Sequence, residues 1–159
     1  MSPSQVSTPF ASLAMAALRL SPIVLSSATI TSVAHQHVVF AMLLSTNPSI
    51  VRPFSRKIMW IMGSLYPISL LSLLINATIP SDAPHLQSIY GLGFALTLAH
   101  VGPFRYAGRL RGALEDEKVV KDELDKVMRE WHTLNWWRLW VCDLPAWGVI
   151  FCATIKAFV

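Results

Sequence analysis

A chain of 159 residues in which 53% are apolar and only 14% charged departs from an ordinary soluble domain, where the figures are about 45–50% and about 25%, and points to lipid as its solvent. Four membrane helices of ~20 residues each would use about half of the chain, which excludes large multidomain enzymes. The 13 Lys and Arg against 9 Asp and Glu leave a formal charge of +4, but they sit in blocks beside apolar runs, as at the cytoplasmic edges of membrane proteins, and argue against nucleic acid as a partner. Cys142 and Cys152 lie ten positions apart, about 15 Å along a helix, too far to be bridged to each other.

Met1–Arg19 contains Ser and Pro and has no basic region before its apolar run, so it reads as a short tail or interfacial helix rather than a secretory signal. Four apolar segments follow, about 20–44, 58–80, 86–104 and 137–158, each near the length that crosses ~30 Å of hydrocarbon. The expected fold is all-α, an integral membrane four-helix bundle forming a single membrane domain over 1–159. Between segments three and four, about 114–130 carries Leu114, Val120, Leu124, Val127 and Met128 among Glu and Lys at helical spacing, and reads as a cytosolic charged helix extending the fourth span. Its mixed charges, such as Glu117 with Lys121 and Asp122 with Lys126, suit a solvated face. Arg52, Arg56 and Lys57 lie in the connection after segment one, and seven basic residues lie between Arg105 and Trp136, whereas Ser81–His85 has no Lys or Arg. The positive-inside rule then puts both basic connections in the cytosol and both termini in the lumen, with the endoplasmic reticulum as the expected membrane. The sequon Asn76-Ala77-Thr78 would face the lumen but abuts the membrane too closely for modification.

Ionisable groups at membrane depth cost about 2.5–3.5 kcal/mol even on the insertion scale, so each asks for a partner or a function. Counting from each segment's middle puts His35 about 4–5 Å, His100 about 7–8 Å and Asp143 about 6–7 Å toward the cytosol, so three helices contribute to one level. Ser27, Thr31 and His35 repeat every four residues, while His37 points some ~160° away, which favours His35. Gly93, Thr97 and His100 share a face of segment three, and Ser69, Ser72 and Asn76 a face of segment two. In segment four, Trp131, Asn135, Arg138 and Cys142 follow one face, whereas Trp136, Trp140, Asp143 and Trp147 follow another. Trp131, Trp136 and Trp137 suit an interfacial belt; Trp140 and Trp147 lie deeper and suit a pocket wall.

A carboxyl, imidazoles and a guanidinium converging in an aromatic-lined membrane cavity suit acid/base chemistry on a lipophilic small molecule, such as epoxide opening. The expected catalytic set is Asp143 and His35 as the acid/base pair, Arg138 and Asn135 orienting them or the substrate, and His100 as a secondary donor. Trp140, Trp147, Asn76, Thr31 and Thr97 are expected to contact substrate. With no glycine-rich phosphate loop, nucleophile elbow or dinucleotide fingerprint, the chemistry falls to side-chain acid/base groups or to a cofactor that the sequence does not advertise. No metal is expected, because His35-Gln36-His37 has the wrong spacing for one helix face and no other His pair has the four-residue spacing of helical zinc sites. The non-enzymatic alternative is a membrane scaffold or assembly subunit whose buried polar groups set helix register.

The stretch Trp131-His132-Thr133-Leu134-Asn135-Trp136-Trp137-Arg138-Leu139-Trp140-Val141-Cys142-Asp143-Leu144-Pro145-Ala146-Trp147, within a four-helix chain of this length, resembles the small fungal membrane epoxide hydrolase/cyclase type of polyene α-pyrone pathways such as citreoviridin and aurovertin. Trp131, Asn135 and Arg138 also resemble the opening of the last helix in the fungal anthrone oxygenase family. Gly102-Pro103-Phe104-Arg105 departs from the Pro-Thr-Asn stretch usual in that second family, and an intramembrane acid such as Asp143 is not part of its pattern. The first resemblance implies a polyketide or terpenoid epoxide as substrate, water or a substrate hydroxyl as nucleophile, no cofactor, and pathway enzymes as partners.

Overall fold

The computed structural model describes residues 9–43 and 48–159. Every regular element among them is helical: α1 (Pro9–Leu43), α2 (Pro48–Thr78), α3 (Leu86–Ala99), α4 (Phe104–Glu115), α5 (Lys121–Arg138) and α6 (Leu144–Phe158). A π-helical turn, Leu139–Asp143, joins α5 to α6, so that one helical rod runs for 38 residues from Lys121 to Phe158. Three helices, α1, α2 and this rod, are long and apolar enough to cross a membrane; α3 is apolar but only 14 residues long.

α1 packs on α2, α2 on α3, α3 on α6, and α6 back on α1. The four therefore close into a ring in that order. The ring turns its small polar residues inward: Ser55, Ser69, Asn76 and Thr97 are buried, while Trp60, Leu71, Val24 and Ile155 are exposed. Beside the apolar cluster of Leu73, Leu86, Tyr90 and Ile150, that arrangement suits a bilayer, where small or hydrogen-bonding residues let helices approach. At Gly93 the approach is close, since a Cβ there would lie 2.9 Å from the Ile150 side chain of α6.

Beyond one end of the ring, α4 and α5 pack on each other and on the starts of α2 and ends of α1 through Phe40, Val51, Leu110, Leu114, Leu124 and Met128. At the other end, Arg19 is buried and ties three elements: it donates to the Asn76 carbonyl (3.2 Å) and Oδ1 (3.3 Å) and to the Pro80 carbonyl (3.4 Å), while its own carbonyl accepts from the Tyr90 hydroxyl at 3.2 Å.

Several boundaries differ from the sequence expectation. The first helix begins at Pro9, because Ala11–Leu18 continues the apolar helical pattern straight through Arg19; its expected end at Leu44 lies outside the described residues, as do residues 1–8. Arg52, Arg56 and Lys57 are on the first turns of α2, which starts ten residues earlier than hydropathy suggests. The third helix stops at Ala99, before Gly102-Pro103. The charged segment 114–130 is two helices, not one: Asp116 ends α4, and the chain is extended at Val120 before α5 begins.

Candidate functional site

Three helices each bring one polar side chain to a common point inside the ring. Tyr66 comes from the middle of α2, His100 caps the end of α3, and Asp143 closes the π-turn. The Tyr66 hydroxyl donates to Asp143 Oδ1 at 3.0 Å, His100 Nδ1 lies 2.9 Å from the same oxygen, and Tyr66 Oη and His100 Nδ1 are 2.8 Å apart. The two rings lie 4.2 Å apart between centroids, tilted by 31°. All three residues are buried. A phenol, an imidazole nitrogen and a carboxyl oxygen within 3.0 Å of one another make a compact proton-sharing unit, in which Nδ1 donates to Oδ1 when it carries the imidazole proton.

The unit stands between two spaces. On one side a cavity of about 510 Å³ is lined by Tyr66 and His100 together with Gln36, Asn135, Arg138 and a mainly apolar remainder from α2, α3, α4 and α5. On the other, a cell of about 10 Å³, room for about one water, is lined by Tyr66 and Asp143 with Ser26, Thr29, Ser69 and Thr97. Asp143 Oδ2 is buried and has no hydrogen-bond partner. A larger recess of about 840 Å³ near Ser81, Cys152 and Val159 is walled mostly by exposed residues, with no buried polar group turned into it, and offers no comparable chemistry.

The π-turn decides where Asp143 points. In an unbroken α-helix Asp143 would stand ~140° from Arg138, among the tryptophans. Pro145 has no N–H to offer the Val141 carbonyl four residues back, and the ladder widens over Leu139–Asp143. The extra residue in that turn swings Asp143 back into the ring, where it is 5% exposed, and leaves Trp140 55% exposed on the outside.

Of the expected site residues, Asp143, His100, Asn135 and Arg138 are brought together, the last two as cavity wall. His35 is not with them. It is exposed, with the Phe54 ring as neighbour at 6.4 Å, because the buried face of α1 runs through Ser26, Thr29, Val33, Gln36 and Phe40. Thr31 is exposed for the same reason. His37 is the buried histidine of that pair, with Nδ1 3.3 Å from His132 Nδ1 and Trp136 edge-on to it. Trp140 packs on Trp136, and Trp147 donates to Ser27 Oγ at 3.0 Å and stacks on Phe151; neither lines the cavity. Asn76 is consumed by Arg19, Leu18 and Ser72 at the far end. Thr97 borders the small cell and donates to the Gly93 carbonyl.

Two site residues escape a search for charges. Tyr66 is uncharged at neutral pH, and only its place at the middle of an apolar run beside Pro67 marks it. Gln36, which accepts from Asn135 Nδ2 at 3.4 Å, sits between two histidines that draw attention from it. Among the described residues no cluster of three or more His, Cys, Asp or Glu side chains could hold a metal ion.

The fold and site thus define a small all-helical protein with apolar helices fit for a membrane and a buried Tyr–His–Asp unit opening on an apolar cavity. Over 88% of its length the chain is 27% identical to the probable epoxidase scpX of Mollisia scopiformis and 29% identical to the epoxidase gkaX of Penicillium citrinum, spanning 95% and 94% of those proteins. It is 33% identical to the epoxidase pydX of an Acremonium species over 62% of each chain. The chain is thus similar over most of its length to fungal proteins named epoxidases, which agrees with the expected resemblance to fungal epoxide-related enzymes but not with its hydrolase/cyclase detail. No protein-family model and no solved structure matches it.

Proposed function

We propose that this protein is a membrane-embedded epoxidase, converting an alkene of a lipophilic small molecule, of polyketide or terpenoid type, to an epoxide. The observation that carries the reading is the Tyr66–His100–Asp143 unit at the wall of a 510 Å³ apolar cavity in a chain related nearly end to end to proteins named epoxidases. Epoxidation by dioxygen consumes two electrons and two protons: one oxygen atom adds across the alkene, the other leaves as water. With a hydroperoxide as donor, the O–O bond breaks, one oxygen goes to the alkene and the other leaves as an alcohol. In either case a proton must reach the departing oxygen, and a phenol and imidazole sharing one carboxylate are the groups to deliver it in a water-poor site. The oxidant and electron donor come from outside the residues described.

The same unit supports a second reading, epoxide opening by hydrolysis or cyclisation, in which Tyr66 or His100 protonates the ring oxygen and Asp143 helps activate water or a substrate hydroxyl. Asp143 Oδ2, unpartnered beside a water-sized cell, is the observation favouring it. Membrane preparations containing the wild-type or the Asp143→Asn protein, given lipophilic polyenes and their epoxides under ¹⁸O₂ and separately in H₂¹⁸O, separate the readings by product mass. One oxygen gained from O₂ on the alkene, lost in the variant, is the expected result. A water added to the epoxide identifies hydrolysis, and a new isomer of equal mass identifies cyclisation. No Asp143-dependent product from either, together with less folded Asp143→Asn protein, assigns the buried polar groups to helix register and the protein to a scaffold.

A further inference from the structure

The cavity beside Tyr66 and His100 is largely apolar, yet its fixed charges are of one sign: Arg111 and Arg138 line it, and no Asp or Glu does. Arg111 is matched by Glu115, which accepts from its Nε at 3.0 Å. Arg138 has no such contact partner, although Asp143, five residues on, lies near enough to act on it electrostatically. Arg138 is 8% exposed, its Nε is buried without a hydrogen-bond partner, and no carboxylate forms an ion pair with it among the described residues. Asp143, the acid nearest along the chain, commits Oδ1 to Tyr66 and His100. A guanidinium held in a low-dielectric wall with Nε unpaired and no carboxylate in contact is costly unless a further acceptor completes it.

We propose that Arg138, with Asn135 beside it, binds an anionic oxygen group, a carboxylate or the enolate of an acidic 1,3-dicarbonyl, at one end of an otherwise apolar substrate. The proposal rests on the reading of this cavity as the substrate site and names the class of molecule that enters it. The planar fork of a guanidinium suits two oxygens at once. Asn135 Nδ2 is held by Gln36 Oε1 only at 3.4 Å, a long bond that a ligand oxygen can replace. With the anionic end anchored there, the apolar body lies along Met59, Met62, Leu70 and Leu98 in the same cavity as Tyr66 and His100.

The test is binding without turnover, using the full chain in phosphatidylcholine nanodiscs and carboxyl-¹³C decanoate, with its methyl ester as the neutral probe and empty nanodiscs as the partitioning blank. Decanoate is expected to bind saturably and about tenfold or more tighter than the ester, the effect of one charge-assisted contact. Arg138→Gln is expected to erase that preference and Arg138→Lys to keep part of it. Equal affinity of acid and ester in the wild type overturns the proposal, and needs no variant to fold. So does a preference that survives in folded Arg138→Gln protein. Competitive loss of decanoate when the discs contain phosphatidylglycerol assigns the site to a lipid headgroup and overturns it too. Because no product is measured, failure here leaves the oxygen-label experiment untouched, and absence of epoxide there leaves this site standing.

Discussion

At the scale of single residues, the site depends on one hydroxyl that no charge count reveals. Tyr66→Phe removes a donor to Asp143 Oδ1 without altering shape, so it should cost stability by about 1–3 kcal/mol and lower turnover by about 10²–10⁴-fold, the usual loss for an acid/base group. Thermal unfolding in detergent and product formation read the two effects separately; full turnover in folded Tyr66→Phe protein would remove the phenol from the chemistry. Gly63 gives a complementary probe. It lines the cavity, and a Cβ added there meets nothing within 4 Å. Gly63→Leu should therefore fold while filling part of the 510 Å³, raising KM or abolishing activity on bulky substrates; unchanged kinetics would show that substrate lies elsewhere. Asn76 belongs to the same scale. Its amide donates to the Leu18 and Ser72 carbonyls and its oxygen accepts from Arg19, so the sequon it heads should carry no glycan, and endoglycosidase treatment should leave the protein's mass unchanged.

At the scale of elements, the π-turn is the feature that turns a stripe of residues into a site. Pro145→Ala restores an N–H to the Val141 carbonyl and removes a residue that costs a helix interior up to ~3 kcal/mol. The expected result is a more stable protein with impaired turnover, because a regular helix carries Asp143 toward the Trp140 side. A drop in Tm with turnover intact would mean that the widened turn has another cause. Gly93 marks a close crossing of α3 and α6. Gly93→Val has no room against Ile150, and overpacking of this kind typically costs about 1–3 kcal/mol, so α3 should move away from α6 and displace His100 from Asp143. Lower Tm and lower activity together are expected, in contrast to Tyr66→Phe, where activity falls far more than stability.

At the scale of the whole molecule, the arrangement is a closed ring of helices whose interior holds small polar residues beside an apolar core and whose outer face is apolar, with a charged helical pair at one end and the Arg19 lock at the other. In the expected topology the α4–α5 end is cytosolic and the α2–α3 turn lumenal. An acceptor sequon engineered on a spacer at Ser81–Ala83 should then be glycosylated, whereas one placed at Asp116–Val119 should not; the reverse pattern would invert the topology. The similarity to scpX and gkaX covers 88% of the chain and nearly all of those proteins, so it extends well beyond any one helix.

How much of this was legible follows from the range of each interaction. Composition and hydropathy depend on one segment at a time, and they sufficed for the all-helical character, the apolar segments and the exceptional status of Asp143 and His100, since an ionisable group in an apolar run is visible wherever the helix ends up. Asn135 and Arg138 were legible through their shared helix face. His35, Thr31, Trp140, Trp147 and Asn76 were misplaced because helical phase says which residues share a face, not which face meets another helix; α1 turned Gln36 and His37 inward instead of His35. Tyr66 acquires meaning only when α2 and α3 sit side by side in the ring. The orientation of Asp143 lay further still from reach, because one proline changes the residues per turn and rotates everything after it. The chain by itself determined helices apolar enough for a bilayer and the polar groups that must find partners; the tertiary structure decided which partners they found, since that choice is made by contacts between helices distant in sequence.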